Sequence, residues 1–193
     1  KGIKCGWIPK NTISESLLFA WELKNICESK LNSIQKLECM QTLCALQVLR
    51  TLCFQSARYC DTKKETTEFI GNYTWSISHP KKNDPELKKL SQQNYRQVEN
   101  MIYSAMRNKL VIDELNYPDQ EELNKFLKRG DDSGFRFFRK LGKALEIIVP
   151  KSGENAYFTL PRHVLRFLVP ALIPPGEKMR LNKFVHRVYQ HYG

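Results

Sequence analysis

Apolar residues recur at helical spacing along the first third of the chain. Phe19, Leu23, Ile26 and Cys27 fall at i, i+4, i+7 and i+8, with Leu17 and Trp21 on a second stripe. A helix is predicted there, with Asn11, Thr12 or Ser14 as its cap. From Leu31 to Cys60 no Gly or Pro interrupts a second, longer helix, and its dense apolar positions predict burial on more than one side. The stretch from Asp61 to Pro85 is polar, holds Gly71, Pro80 and Pro85, and reads as a connection with room for a short strand or hairpin between Phe69 and Ile77. Pro85-Glu86 then opens a helix running to about Lys109 through Leu87, Leu90, Val98, Met101, Ile102 and Met106. Leu110-Val111-Ile112 is a short β-rich run. Pro118 to Glu122 starts another helix with acids at its positive end, and Gly130 stops it after Lys128-Arg129.

Asp131-Asp132-Ser133 is predicted to cap a helix from about Gly134 to Leu145. Glu146 to Val149 reads as a strand, Pro150 to Asn155 as a polar turn, and Ala156 to Leu160 as the returning strand. Pro161 opens a helix that Pro170 truncates or kinks, and a last helix from Leu181 to Tyr192 turns Phe184, Val185 and Val188 inward. The expected fold class is therefore mainly α with a small β-hairpin. Residues 1–61 form a helical scaffold segment, 62–85 a connection, and 86–193 a second domain ending in a C-terminal helical extension.

Composition narrows the class of molecule. At 193 residues, 41% hydrophobic and 26% charged, the chain can bury a core and does not resemble a disordered protein. No apolar run approaches the roughly 18 residues a transmembrane helix needs, so no membrane partner is expected. The chain opens on Lys1 without a methionine and stops at Gly193. A processed protein or a piece of a longer chain is the expectation.

All six cysteines precede residue 61 and none forms a C-x-x-C pair. Cys39, Cys53 and Cys60 lie on a seven-residue grid with Leu46, which favours a buried helix face over metal binding. Cysteines seven apart on one helix are about 10 Å apart along its axis, too far for a disulfide. The even count and the sequon Asn72-Tyr73-Thr74 keep a secreted origin open, but a reducing, intracellular setting (cytoplasm, nucleoid or nucleus) is favoured.

The net charge of +11 points to an anionic partner: nucleic acid, anionic lipid or an acidic protein surface. It concentrates late. From Gln120 onward there are 14 Lys and Arg against seven Asp and Glu, leaving 17 against 13 before.

The order helix, short strand, helix, tight turn, helix, two-stranded hairpin over Lys88 to Leu160 resembles the winged helix-turn-helix family, as a pattern without an invariant motif. The resemblance implies that the helix before the wing, Gly134 to Leu145, enters a major groove. It also implies that the wing tip Lys151-Ser152-Gly153-Glu154-Asn155 touches backbone or minor groove.

The residues of that helix agree with such a role. At 100° per residue from Phe135, Arg139, Lys143, Arg136 and Lys140 fall at about 40°, 80°, 100° and 140°. Ala144, Phe137, Leu141, Leu145 and Phe138 lie between about 180° and 300°, and no acid follows Ser133 on the helix. Arg136 and Arg139 suit paired hydrogen bonds to a guanine edge or a phosphate, and Lys140 and Lys143 suit phosphate as point charges. Lys128, Arg129 and Lys151 extend the footprint. Glu154 at the wing tip and Asp131-Asp132 at the start of the helix work against phosphate.

No catalytic pattern accompanies this surface. His186 and His191 are five apart rather than the three or four that aligns two metal ligands, and the phosphate-loop, dinucleotide, nucleophile-elbow and zinc-protease motifs do not occur. Neither an enzyme nor a cofactor or metal is expected. The expected function is binding of nucleic acid, double-stranded DNA first. The alternative is a structural or adaptor subunit of a larger assembly, joined to other subunits or to a second copy through its N-terminal helices and winged helix.

Overall fold

The computed structural model describes residues 13–60, 75, 77–78, 84–109, 112–113, 119–130, 134–150 and 155–193. Helix α1, Ile13–Glu28, turns back into the 28-residue helix α2, Ser33–Cys60. The turn is set by Asn32 and Gln35. The Asn32 carboxamide accepts from the Gln35 amide at 2.9 Å, and the Gln35 side chain accepts from the Asn32 amide at 3.1 Å, a reciprocal capping box. Lys36 donates to the Cys27 carbonyl at 2.6 Å, satisfying one of the orphan acceptors that end α1.

Helix α3, Pro85–Met106, starts as its sequence predicts: Asp84 caps it by accepting from the Leu87 amide at 3.0 Å, and Pro85 sits where no amide is needed. Its buried face is Ser91, Tyr95, Val98, Ile102 and Ala105. That face runs through polar residues at its start, so Leu87 and Leu90, expected to face inward, are exposed. Ser91 is inside because it serves the hairpin. Its hydroxyl donates to the Phe158 carbonyl at 3.1 Å and accepts the Phe158 amide at 2.9 Å, taking the place of a neighbouring strand.

Helices α4, Gln120–Gly130, and α5, Arg136–Ala144, follow, then the antiparallel strands β1, Ile148–Val149, and β2, Tyr157–Phe158. Ile148 pairs with Phe158 and Val149 with Tyr157. The strand expected at Leu110-Val111-Ile112 is corrected at its last residue: Ile112 is helical, its amide bonded to the Asn108 carbonyl four residues back, while Leu110 and Val111 lie outside the described residues. The third partner of the hairpin comes from Ile77, which bridges to Phe158 in parallel, with the Ser78 amide 2.9 Å from the Phe158 carbonyl. Trp75 stacks on Phe158 and Tyr95 meets it edge-on.

Helix α6, Arg162–Leu172, contains Pro170, and α7, Leu181–Tyr192, closes the described chain. The orphan carbonyls at the end of α6 are satisfied from both sides: Asn25 of α1 donates to Ala171 and Arg187 of α7 donates to Leu172, each at 2.9 Å. On α7, Phe184 is buried, but Val185 points outward with Leu181 and Tyr189.

One hydrophobic cluster runs from Ile26, Leu43, Leu46 and Cys53 through Val98, Ile102, Phe138 and Phe158 to Phe167, Leu172 and Phe184. The helices before Cys60 and the elements after Pro85 therefore share a core. The cysteine grid divides along its length, with Cys53 buried, Cys39 half-buried and Cys60 exposed at the helix end. All the described cysteines carry free thiols.

Charged groups also enter this core, which apolar periodicity does not reveal. Glu22 and Arg50, 0% and 1% exposed, form a two-pronged pair at 2.9 and 3.0 Å. Nδ1 of His191 lies 2.7 Å from the same carboxylate, and Arg50 donates to the His191 carbonyl at 3.3 Å and to the Gln47 side chain at 2.9 Å. The Arg50 guanidinium also lies over the Tyr192 ring, 5.0 Å from its centroid. Burial opposes the charge on Glu22, but the hydrogen bond from His191 and the Arg50 charge together hold its pKa below the usual carboxylate value. Burial, and then the Glu22 charge, push the Tyr192 phenol upward. A second buried carboxylate, Glu15, pairs with Arg58, accepting from Nη2 at 2.8 Å with Nη1 2.7 Å from its other oxygen.

Candidate nucleic-acid interface

Helix α4 is capped by Asp119, whose carboxylate accepts from the Glu122 amide at 2.7 Å. Its surface is solvated, with a Glu121–Lys125 pair at 2.7 Å, while Leu123, Phe126 and Leu127 turn half inward. Lys128 and Arg129 are exposed in its last turn.

The last residue of α4 and the approach to α5 pack on one side chain. A Cβ added at Gly130 would lie 2.8 Å from the Met106 methyl, and one at Gly134 would lie 2.5 Å from its sulfur. The end of α4 and the approach to α5 thus close on Met106 from two directions, which puts Lys128-Arg129 and the start of α5 at one corner of the molecule. Helix α5 approaches the hairpin as closely, since a Cβ at Gly142 would be 2.3 Å from Cδ1 of Ile148. A glycine inside a helix costs about 1 kcal/mol relative to alanine, and here the tight packing explains it.

These contacts fix how α5 is rotated. Phe138 and Gly142 form its buried centre, at about 300° and 340° on the helical wheel. The inward face is therefore turned from where the apolar residues alone place it. Phe137 is 46% exposed, and Arg139 and Lys143 are half-buried on the opposite flank. Arg136 and Lys140 remain exposed, one turn apart.

Arg139 works toward α3. Burial and the nearby Glu99 push the Tyr95 phenol up to about 12, with the Arg139 charge pulling the other way. Burial likewise raises Glu99, opposed by Arg139 and Arg96. Burial and then the Arg139 charge lower the pKa of Lys143. The expected face thus divides into an outward pair, Arg136 and Lys140, and an inward pair, Arg139 and Lys143, that also serves the protein. Lys151 and the expected cap Asp131-Asp132-Ser133 lie outside the described residues, and Phe135 at the start of α5 makes no side-chain cap.

The exit from α5 is built without a glycine. The Ile147 amide bonds to the Gly142 carbonyl and the Glu146 amide to that of Lys143, a Schellman arrangement with Glu146 in the left-handed position at φ 56°. Glu146 is therefore a turn residue and not the first residue of the strand, as its sequence context suggests. The turn aims β1 back along the helix and brings Ile147 and Ile148 into the core.

Among the described residues, no three His, Cys, Asp or Glu side chains come together as metal ligands would, and no helix is long and apolar enough to cross a membrane. No protein-family model, curated protein or solved structure matches the chain. Its class is defined here by the fold and surface chemistry alone: a mainly helical protein with a two-stranded antiparallel hairpin.

Proposed function

We propose that this protein binds double-stranded nucleic acid, DNA in the first instance, through the α4–α5 corner, in the manner of a winged helix. The observation that carries the proposal is that Arg136 and Lys140 stand exposed one turn apart on a helix without acids, next to exposed Lys128 and Arg129. Phe138 and Gly142 hold α5 against β1 and α2, leaving its other side available to a groove. Arg136 is suited to a bidentate contact with a phosphate or a guanine edge, and the lysines act as point charges on the backbone. Arg139, whose charge acts on Glu99 and Tyr95 of α3, contributes to the field more than to direct contact.

Anisotropy titration of a fluorescent duplex at several salt concentrations tests the proposal. Four exposed cations neutralising roughly four phosphates give a log–log slope of about −3.6. Arg136→Glu with Lys140→Glu abolishes binding with the far-UV spectrum unchanged. Unchanged affinity in that variant refutes the proposal. One observation favours a second reading, an adaptor that uses the same helix for protein contact: Phe137 is 46% exposed beside Arg136. Absence of duplex binding at low salt selects that reading.

A further inference from the structure

On the side of the molecule formed by α2 and α6, an open groove of about 970 Å³ runs between the first half of α2 and α6, closed at one end by the α1–α2 turn. Its floor is apolar, made by Leu31, Cys39 and Pro170 with the buried Phe167 beneath them. The apolar surface continues over the lips, where Val169 is 47% exposed and Ile34, one residue before the lining Gln35, is 71% exposed. The rim is basic. Lys30 stands at the closed end and His163 and Arg166 along α6, against one acid, Glu38, on α2. Helix α6 carries no Asp or Glu between Arg162 and Leu172, so nothing on it neutralises Arg162 and Arg166. Pro170 has no amide hydrogen, so the Arg166 carbonyl one turn earlier lacks its donor in the helix ladder. Both residues line the groove.

An apolar floor and a positive rim together describe the complement of a particular ligand. We infer that this groove docks a short acidic amphipathic segment of a partner protein, about two turns of helix with apolar residues facing the floor and carboxylates facing Lys30 and Arg166. The length follows from the lining stretches Gln35 to Thr42 and His163 to Pro170, each about 10 Å along its helix. Nucleic acid fits poorly. Phe167 is 2% exposed and offers no face for a base to stack on, and Glu38 repels phosphate. The groove is built from α2 and α6, independently of the α4–α5 corner.

The test uses two synthetic fluorescent peptides of 14 residues, one of leucine and glutamate in amphipathic order and one with every glutamate replaced by lysine. The full chain binds the glutamate peptide and not the lysine peptide. Lys30→Glu with Arg166→Glu weakens the glutamate peptide by about tenfold, as expected for reversing two rim charges. The same variant gains affinity for the lysine peptide, which a merely misfolded protein does not do. Val169→Asp, at an exposed position on the lip, weakens the glutamate peptide by removing apolar contact and adding a like charge. Duplex binding is unchanged in the Lys30→Glu, Arg166→Glu variant, which separates this site from the α4–α5 corner. No binding of the glutamate peptide, equal binding of both peptides, or indifference to the charge reversal each overturns the inference.

Discussion

Removing the Glu22 carboxylate by Glu22→Ala tests whether the buried charges hold the two ends of the fold together. The substitution leaves the Arg50 guanidinium with the Gln47 side chain, the His191 carbonyl and the face of the Tyr192 ring, and leaves Nδ1 of His191 without its acceptor. With Glu22 and Arg50 0% and 1% exposed, water cannot replace the lost partner and solvent screening does not reduce the effect. Breaking such a pair by deleting one side costs about 3–5 kcal/mol, a large part of the roughly 5–15 kcal/mol that stabilises a typical domain. In urea, with a slope of about 2 kcal/mol per M, the unfolding midpoint falls by roughly 2 M. Circular dichroism at 222 nm follows the transition. A double-mutant cycle with Arg50→Met separates the cost of an orphaned guanidinium from the worth of the pair, since the double variant recovers much of the loss. A midpoint shift below about 0.5 M corresponds to less than about 1 kcal/mol, the value of a surface pair, and refutes the account of a dry, coupled network.

The same carboxylate sets an acid limit. Its folded pKa lies below the ordinary value of 4.5, so between the two the unfolded chain binds more protons and stability rises with pH. The stabilisation is present above 4.5 and is lost as pH falls through the folded pKa, and Glu22→Gln flattens this part of a urea-midpoint-against-pH curve. Gly142→Ala forces a Cβ to within 2.3 Å of Ile148, costs about 1–3 kcal/mol in urea unfolding, and is partly rescued by Ile148→Val. A loss that the second substitution does not reduce means that the contact is misassigned. Glu146→Gly relieves about 1 kcal/mol of left-handed strain at the end of α5 and raises Tm by about 2–4 °C, with a fall in Tm as the contrary result.

What could be read from the sequence was local. Asp84-Pro85, Gly130 and the polar turn between the two strands act on their immediate neighbours, and each element they punctuate is present. The errors arise where a tertiary partner outweighs the local pattern. Leu87 and Leu90 outrank Ser91 in any apolar count, but Ser91 is inside because Phe158, 67 residues later, offers it both an amide and a carbonyl. The pairing of Glu22 with His191 leaves no local signal, because the two lie 169 residues apart.

At the candidate interface the four cations of α5 were visible as a sector. Their division into an outward and an inward pair depends on the rotation that Gly142 permits against Ile148. The one available signal was Gly142 itself, a weak helix former in the middle of an otherwise strong helix. The Asn32-x-x-Gln35 box was also visible in principle, since its pattern is local.

The Glu22–Arg50–His191 cluster has a consequence for the order in which the protein is made. Glu22 and Arg50 are 28 residues apart and leave the ribosome nearly together, whereas His191 follows Arg50 by 141 residues. At 5–20 residues per second, the first two helices wait roughly 7–28 s for the helix that covers their charged pair. Throughout that interval the nascent helical hairpin presents Trp21, Ile26 and a half-satisfied ion pair to solvent or to a chaperone. Its lifetime in that state, and so its tendency to aggregate, is governed by translation speed between the codons for Arg50 and His191.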